Sequence, residues 1–183
     1  MKNAKKLIII TGPSGVGKGT VVNDILKRNK KIWLSISATT RNPRKGEKDG
    51  KDYYFLSKEI FKRMIEDGMF LEWAEFAGNY YGTPLNSVRE KIDNGLKVIL
   101  EIEVAGAKQV RDKYQDILSI FLLPPNKEEL EKRIRNRGTD NEESIIKRLK
   151  RADFEIGSSG EFEYVIKNYD LNETVAKILE IIN

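Results

Sequence analysis

The 183-residue sequence contains neither cysteine nor histidine. Without cysteine there are no disulfides, thiolate nucleophiles or cysteine-bound metals, which fits a reducing compartment. Without histidine, serine–histidine catalysis, imidazole general bases and histidine-bound metals are excluded. Long apolar runs are also missing. The basic start Met1-Lys2-Asn3-Ala4-Lys5-Lys6 leads into an apolar stretch that ends at Thr11-Gly12-Pro13, too short for a signal-peptide core. No later segment is long enough to span a bilayer, so a soluble cytoplasmic protein is expected. There is no internal repeat, low-complexity tract or basic–aromatic platform for nucleic acid. Chemistry is left to carboxylates, lysines, arginines, hydroxyls and a bound Mg2+. The net charge of +5, from 33 basic and 28 acidic residues, describes a solvated surface compatible with anionic nucleotides.

What is present is organised around Gly12-Pro13-Ser14-Gly15-Val16-Gly17-Lys18-Gly19-Thr20. The preceding Leu7 to Thr11 reads as a strand buried on both faces. The following Val21, Val22, Ile25 and Leu26 fall at helical spacing. Strand, glycine-rich turn and helix opening on a lysine make the context of a phosphate-binding loop. Its glycines let successive N–H groups converge on an anion, the helix N-terminus faces the same spot, and Lys18 adds a mobile charge. The strict pattern places a hydroxyl directly after the lysine. Here Gly19 intervenes, which leaves Thr20 to help hold Mg2+.

Further along, Ile32 to Ile36 alternates as a strand, Tyr53 to Leu56 reads as another, and Ser57 caps a helix ended by Gly68. Phe70 to Phe76 is a strand, Gly78 to Pro84 a turn, and a helix with Val88 and Ile92 stops at Gly95. Buried-strand character resumes at Lys97–Glu103 and Ile117–Leu123, with a helix carrying Ala107 and Val110 between them. Asn126 with Glu129, and Asp170 with Glu173, look like capping boxes, and Thr139 or Asp140 starts another helix. Glu163–Lys167 is a last strand. Alternating strands and helices imply a parallel sheet covered on both faces. The stretch from Ser37 to Asn94 breaks that alternation and reads as an inserted substrate-binding region. Lys132 to Arg151, rich in charge, reads as a mobile lid.

Several side chains stand out on this frame. Glu101 ends an apolar strand beside the loop, an arrangement that orients Mg2+ through water. Arg41 and Arg44 can converge on one phosphate. Glu72, on a strand whose alternation gives it the face of Phe70, Ala74 and Phe76, is a buried acid beside Tyr81 and Thr83. Guanine offers two donors to such a carboxylate, whereas adenine presents an acceptor, so the acid favours guanine. Arg133 and Arg137, four apart, share a helical face. With Arg148 and Arg151 they can close over transferring phosphates, and no acid at the tip of that face is expected to neutralise them.

The phosphate loop, Ser37-Ala38-Thr39-Thr40-Arg41-Asn42-Pro43-Arg44, Gly46-Glu47, Gly78-Asn79-Tyr80-Tyr81-Gly82-Thr83, Arg137-Gly138-Thr139, Glu142 to Ile145 and Lys147-Arg148-Leu149 together resemble guanylate kinase, in that family's order and over nearly the whole chain. The resemblance implies an α/β, three-layer P-loop fold with a mostly parallel five-stranded core sheet (1–36, 95–131 and 152–183), an inserted mixed α+β GMP-binding subdomain (37–94) and a helical lid (132–151). It implies Mg2+-dependent transfer from ATP to GMP, giving ADP and GDP, with closure of lid and insert around both nucleotides. Gly12, Pro13, Ser14, Gly15, Val16, Gly17, Lys18, Gly19, Thr20, Arg133, Arg137 and Asn168 would take ATP. Ser37, Arg41, Arg44, Tyr53, Glu72, Tyr81, Thr83, Glu101 and Glu103 would form the GMP side, and Lys18, Arg41, Arg137 and Arg148 would act in transfer. Two positions depart from the family: Glu103 replaces the usual Asp, and Ala105 the usual Gln.

The competing readings are a P-loop kinase for another small phosphate acceptor and a non-catalytic guanylate-kinase-like binding module. An intact loop lysine and lid arginines speak against the module. The lack of an Asn-Lys-x-Asp guanine-reading motif speaks against a GTPase.

Overall fold

A computed structural model describes residues 5–76, 78–136 and 141–183. Strand β1 (Leu7–Thr11) lies at the centre of a five-stranded sheet, and all five of its residues are buried. Its side chains alternate between two cores, which is why the run is apolar throughout. Ile8 and Ile10 pack with Val21, Val22 and Ile25 of helix α1 (Lys18–Arg28), whereas Leu7 and Ile9 pack on the other face.

The chain continues through β2 (Ile32–Leu34) and then leaves the main sheet. Strands β3 (Ala38–Thr39) and β4 (Tyr54–Phe55), helix α2 (Lys58–Glu66), β5 (Phe70–Phe76) and β6 (Asn79–Pro84) build a second sheet, ordered β4-β3-β6-β5. Helix α3 (Leu85–Asp93) leads back to β7 (Lys97–Glu101), and Val88 packs in the core with Leu7 and Val98. Then follow α4 (Val104–Lys113), β8 (Ile117–Leu123), α5 (Lys127–Arg135), α6 (Glu142–Gly157), β9 (Tyr164–Lys167) and α7 (Leu171–Ile182). The main sheet runs β2-β7-β1-β8-β9 with every pairing parallel. Because β7 and β8 flank β1, its carboxyl end opens on a switch in connection direction, where such sheets bind ligands.

The small sheet is covered on one face by α2, whose Phe61 stacks on Phe70 and Tyr80 with ring centroids 4.4 and 5.5 Å apart. Two sequence expectations change here. Gly78 to Pro84 is not a turn, because Asn79–Pro84 forms β6, antiparallel to β5. Gly82 belongs inside that strand for want of space: a Cβ there would lie 2.9 Å from the Glu72 carbonyl and 3.0 Å from Trp73 Cβ. The face shared by Phe70 and Glu72 is also lost. A register shift between Phe70 and Trp73 inserts a β-bulge, so Phe70 and Trp73 both pack toward α2 while Leu71 joins the main core. Gln109 of α4 satisfies the displaced backbone, accepting from Trp73 N at 3.2 Å and donating to Trp73 O at 2.9 Å.

The expected caps at Ser57, Asn126 and Asp170 each accept from the backbone N–H three residues on. For α6 that role falls to Asn141, whose Oδ1 accepts from Ser144 N; the expected starts at Thr139 and Asp140 lie outside the described residues. Helices α5 and α6 form a small apolar cluster of their own from Leu130, Ile134, Ile145 and Ala152. Among the described residues, no helix is long and apolar enough to cross a membrane.

Candidate functional site

The loop between β1 and α1 is closely packed, in a form that its glycines allow. Gly17 caps α1 at φ 100°, a left-handed conformation, with no side-chain bond to the helix amides. Those first-turn N–H groups are therefore available to an anion. Gly12 has no room for a side chain, since a Cβ would collide with the Leu122 carbonyl oxygen of β8. Lys18 donates to the carbonyls of Gly12 at 2.6 Å and Pro13 at 3.4 Å. Val16 is fully buried, and its carbonyl accepts from Asn168 Nδ2 at 2.9 Å and Arg133 Nη1 at 3.1 Å. Both of these residues thus brace the loop from the β9 and α5 sides. Ser14, Gly15 and Gly19 are partly buried, Pro13 is buried, and Thr20 is exposed in the first turn of α1.

Glu101, at the end of β7, stands on this side of the cleft. Its carboxylate lies 3.5 Å from where a Cβ of Gly19 would sit. Burial raises its pKa above 4.5, with the charge of Lys18 pulling back and that of Glu103 adding to the rise.

A second constellation lies where the small sheet packs against α4. Glu72 is 6 % exposed, and its Oε1 accepts from Thr83 Oγ1 at 2.7 Å. Burial pushes its carboxyl above the usual 4.5, opposed by bonds from Thr83 and by the charge of Lys113. Its other oxygen lies over α4, where a Cβ on Gly106 would come within 2.5 Å of Oε2. Gly106 is a residue that sequence reasoning missed; a lone glycine inside a helical pattern was the available signal.

The third group gathers Arg41, Tyr53 and Tyr81. The Arg41 guanidinium lies 5.2 Å over the Tyr53 ring, and Tyr53 meets Tyr81 edge-on at 6.4 Å. Its fork is bound by Glu47: Nη1 donates to Oε2 at 2.8 Å and Nη2 to Oε1 at 2.9 Å. Glu47 also accepts from the Arg44 backbone N–H at 2.7 Å, while the Arg44 side chain is exposed. These bonds hold the Glu47 carboxyl down at about 2. Burial of Tyr53 pushes its hydroxyl upward, partly offset by the charge of Arg41. Glu47 stands where an anion of matching fork geometry would bind. Ser37 precedes β3 and is partly buried, its carbonyl accepting from Tyr54 N.

In the stretch expected from sequence to form a lid, α5 ends at Arg135, before Arg137, which lies outside the described residues. The expectation of lid arginines without neutralising acids is corrected. Arg133 Nε donates to Glu129 Oε1 at 3.0 Å, and Arg151 is paired to both Glu155 and Glu103. These acids lie one helical turn away on the same helix, or at the N-cap of α4, which packing brings near. Arg148 is half-buried on α6.

Comparison with known proteins extends this picture over the whole chain. The model of the family described as guanylate kinase matches residues 4–183. A guanylate kinase of Prochlorococcus marinus subsp. pastoris is 67% identical over 182 residues, covering 100% of this chain and 99% of the relative. A guanylate kinase of a Synechococcus strain is 54% identical over 175 residues, covering 96% of this chain and 92% of its own length. The crystal structure of guanylate kinase from Anaplasma phagocytophilum superposes with a TM-score of 0.78 at 36% identity, covering 100% of this chain and 86% of that one. With the family model matching residues 4–183 and relatives more than half identical over nearly the whole chain, the chain belongs to the guanylate kinase family.

Proposed function

We propose that this kinase transfers the γ-phosphoryl group of ATP to GMP, giving ADP and GDP, by an in-line step assisted by Mg2+. The observation that carries the choice of acceptor is Glu72, a buried carboxylate whose Oε1 is engaged by Thr83 and whose Oε2 lies against a glycine. Guanine N1–H and N2–H are donors that such an acceptor can satisfy, whereas adenine would leave it unpaired. Thr83 fixes the carboxylate, and Ser37 and Glu103 complete the base-reading group. Arg41, Arg44, Tyr53 and Tyr81 take the GMP phosphate, which replaces Glu47 on the Arg41 fork. Tyr53 and Tyr81 are apolar bodies with polar tips, suited to burying a phosphate edge.

Opposite them, Gly12 to Thr20 cradle the ATP phosphates, with Lys18 moving from the loop carbonyls to the outer phosphates. Arg133, Arg137 and Arg148 add positive charge from the lid side, and Asn168 holds the loop at the adenosine end. Little covalent chemistry is asked of the protein, because this reaction needs alignment and charge neutralisation. Mg2+ fits the Thr20 hydroxyl, in the first turn of α1, and the Glu101 carboxylate, which ends β7 and faces Gly19 of that turn. No cluster of three acids surrounds that point among the described residues, so the ion would be held chiefly by phosphates and water. When bound, it neutralises the developing phosphate charge. The reading places the enzyme in the cytoplasm, where both nucleotides are found.

The testing experiment is ADP release with ATP and Mg2+, offering GMP, dGMP, AMP, UMP and CMP separately. Turnover confined to GMP, or to GMP and dGMP, is expected. Turnover confined to another acceptor would keep a kinase and remove the role of Glu72. No turnover from a folded protein that binds GMP would support a binding module.

A second expectation concerns Gly106. Alanine is the better helix former by ~1 kcal/mol, but overpacking the buried carboxylate costs about 1–3 kcal/mol, so Gly106→Ala leaves the melting temperature unchanged or lowers it by a few degrees. Its methyl displaces the Glu72 carboxylate, and GMP affinity falls roughly tenfold, the effect of a modest overpacking clash. Calorimetric titration beside a thermal melt reads both. Unchanged GMP affinity would show that the carboxylate yields without cost.

A further inference from the structure

Arg151 of α6 joins three parts of the molecule through one guanidinium. Its Nε donates to Glu155 Oε1 on the same helix at 2.8 Å. Its Nη2 donates to Glu103 Oε2, at the start of α4, at 3.3 Å. The guanidinium carbon also lies 5.4 Å over the ring of Phe76, at the end of β5 in the small sheet. Glu155 is only 4 % exposed and has a second carboxylate oxygen without a hydrogen-bond partner, so its pairing with Arg151 is strongly favoured. That pairing anchors the Nε edge and leaves Nη2 to reach Glu103.

Glu103 is the N-cap residue of α4, yet its side chain makes no capping bond. It is long and largely exposed, so binding a base through it would ordinarily require freezing several torsions. We propose that Arg151 is a positioning residue for guanine recognition: it holds Glu103 by Oε2 and leaves Oε1 to accept from the base. The inference rests on the reading that Glu103 addresses GMP. It has a consequence for the lid. A base that binds Glu103 also fixes Arg151, and with it α6, whose neighbour Arg148 is assigned to transfer. By linkage, ordering of α6 by ATP then favours GMP by the same factor.

Arg151→Ala would leave Glu155 buried without a partner and could unsettle α6 for that reason alone. Arg151→Lys is the cleaner variant. One ammonium can still pair with Glu155, but it has no planar fork to reach Glu103 together with it. The readout is calorimetric binding of GMP and of a non-hydrolysable ATP analogue, each alone and in the presence of the other. Arg151→Lys is expected to weaken GMP roughly three- to fivefold, the scale of a partly exposed ion pair. It leaves the ATP analogue alone unaffected and reduces the mutual enhancement of the two ligands. Glu103→Gln should weaken GMP by itself, and adding Arg151→Lys to it should cost nothing more. An unchanged GMP affinity in Arg151→Lys would overturn the inference, as would equal loss for both ligands or full additivity with Glu103→Gln. If Glu103→Gln leaves GMP binding intact, the assignment of Glu103 to guanine fails first and the inference falls with it.

Discussion

Lys18→Ala lowers the rate of GDP formation by roughly a hundred- to a thousandfold, the cost of removing one preorganised charge-stabilising donor from a reacting centre. The physical reason lies in how the loop is built. Gly17 caps α1 without a side-chain bond, so the anion site consists of backbone N–H groups plus this one mobile ammonium. Without phosphates, the ammonium rests on the carbonyls of Gly12 and Pro13 at 2.6 and 3.4 Å. Both partners lie within the loop, so the ammonium moves a short way to meet phosphate oxygens. Phosphoryl transfer depends on positive charge placed around the moving group, and Lys18 is its source at the loop. Stability should change little. The lost bonds are worth about 1 kcal/mol each at most, a shift of a few degrees in melting temperature for a chain of this size. Single-turnover kinetics beside a thermal melt make the check. Near-normal turnover from a folded variant would remove the loop from the mechanism.

Glu72→Gln separates function from stability in the opposite sense. The carboxamide still accepts from Thr83 through its oxygen, but an NH2 group now faces the guanine donors. Losing a charged acceptor and gaining an opposed donor costs about 3 kcal/mol, or roughly a hundredfold in GMP affinity. ATP affinity should be unaltered. For folding, the sign follows from the raised pKa of Glu72, caused chiefly by burial. Ionised Glu72 destabilises the fold at pH above that value, and the penalty fades as pH falls through it. The neutral amide avoids the penalty, so the variant melts at the same temperature or higher at neutral pH. The same titration governs activity. kcat/KM for GMP declines as pH is lowered through the free enzyme's Glu72 value, with a midpoint above 4.5. In Glu72→Gln this contribution is lost, and the acid limb that remains belongs to other groups such as Glu101. Equal weakening of both nucleotides, or an unchanged acid limb, would count against the base-reading role.

Much of the frame was legible because its causes are local. The run Leu7 to Ile10 announces a strand covered on both sides, and the structure buries every residue of it. Ser57, Asn126 and Asp170 cap helices because a short polar side chain reaches an amide only three residues away. The phosphate loop is likewise local: the conformations it needs are set by glycines adjacent in sequence. Where local rules compete, the reading failed. Tyr80, Tyr81 and Gly82 look like a turn by composition, yet they pair in β6 because Gly82 alone lets β5 approach so closely. Strict alternation gave Phe70 the face of Glu72, and a single bulge in β5, braced by Gln109 of α4, moved it to the other side.

Sequence alone therefore determined the parallel α/β frame and the glycine-rich loop between β1 and α1, since each follows from spacing along one segment. Tertiary structure alone decided which groups meet. Gly106 makes room for Glu72 only because α4 packs against β5. Arg41 is held by Glu47 through a loop whose path no periodicity describes. Arg151 reaches Glu103, 48 residues away, only because α6 folds back over the start of α4. Such contacts depend on the register and packing of whole elements, and a linear pattern carries no term for the distance between side chains that the chain brings together from afar.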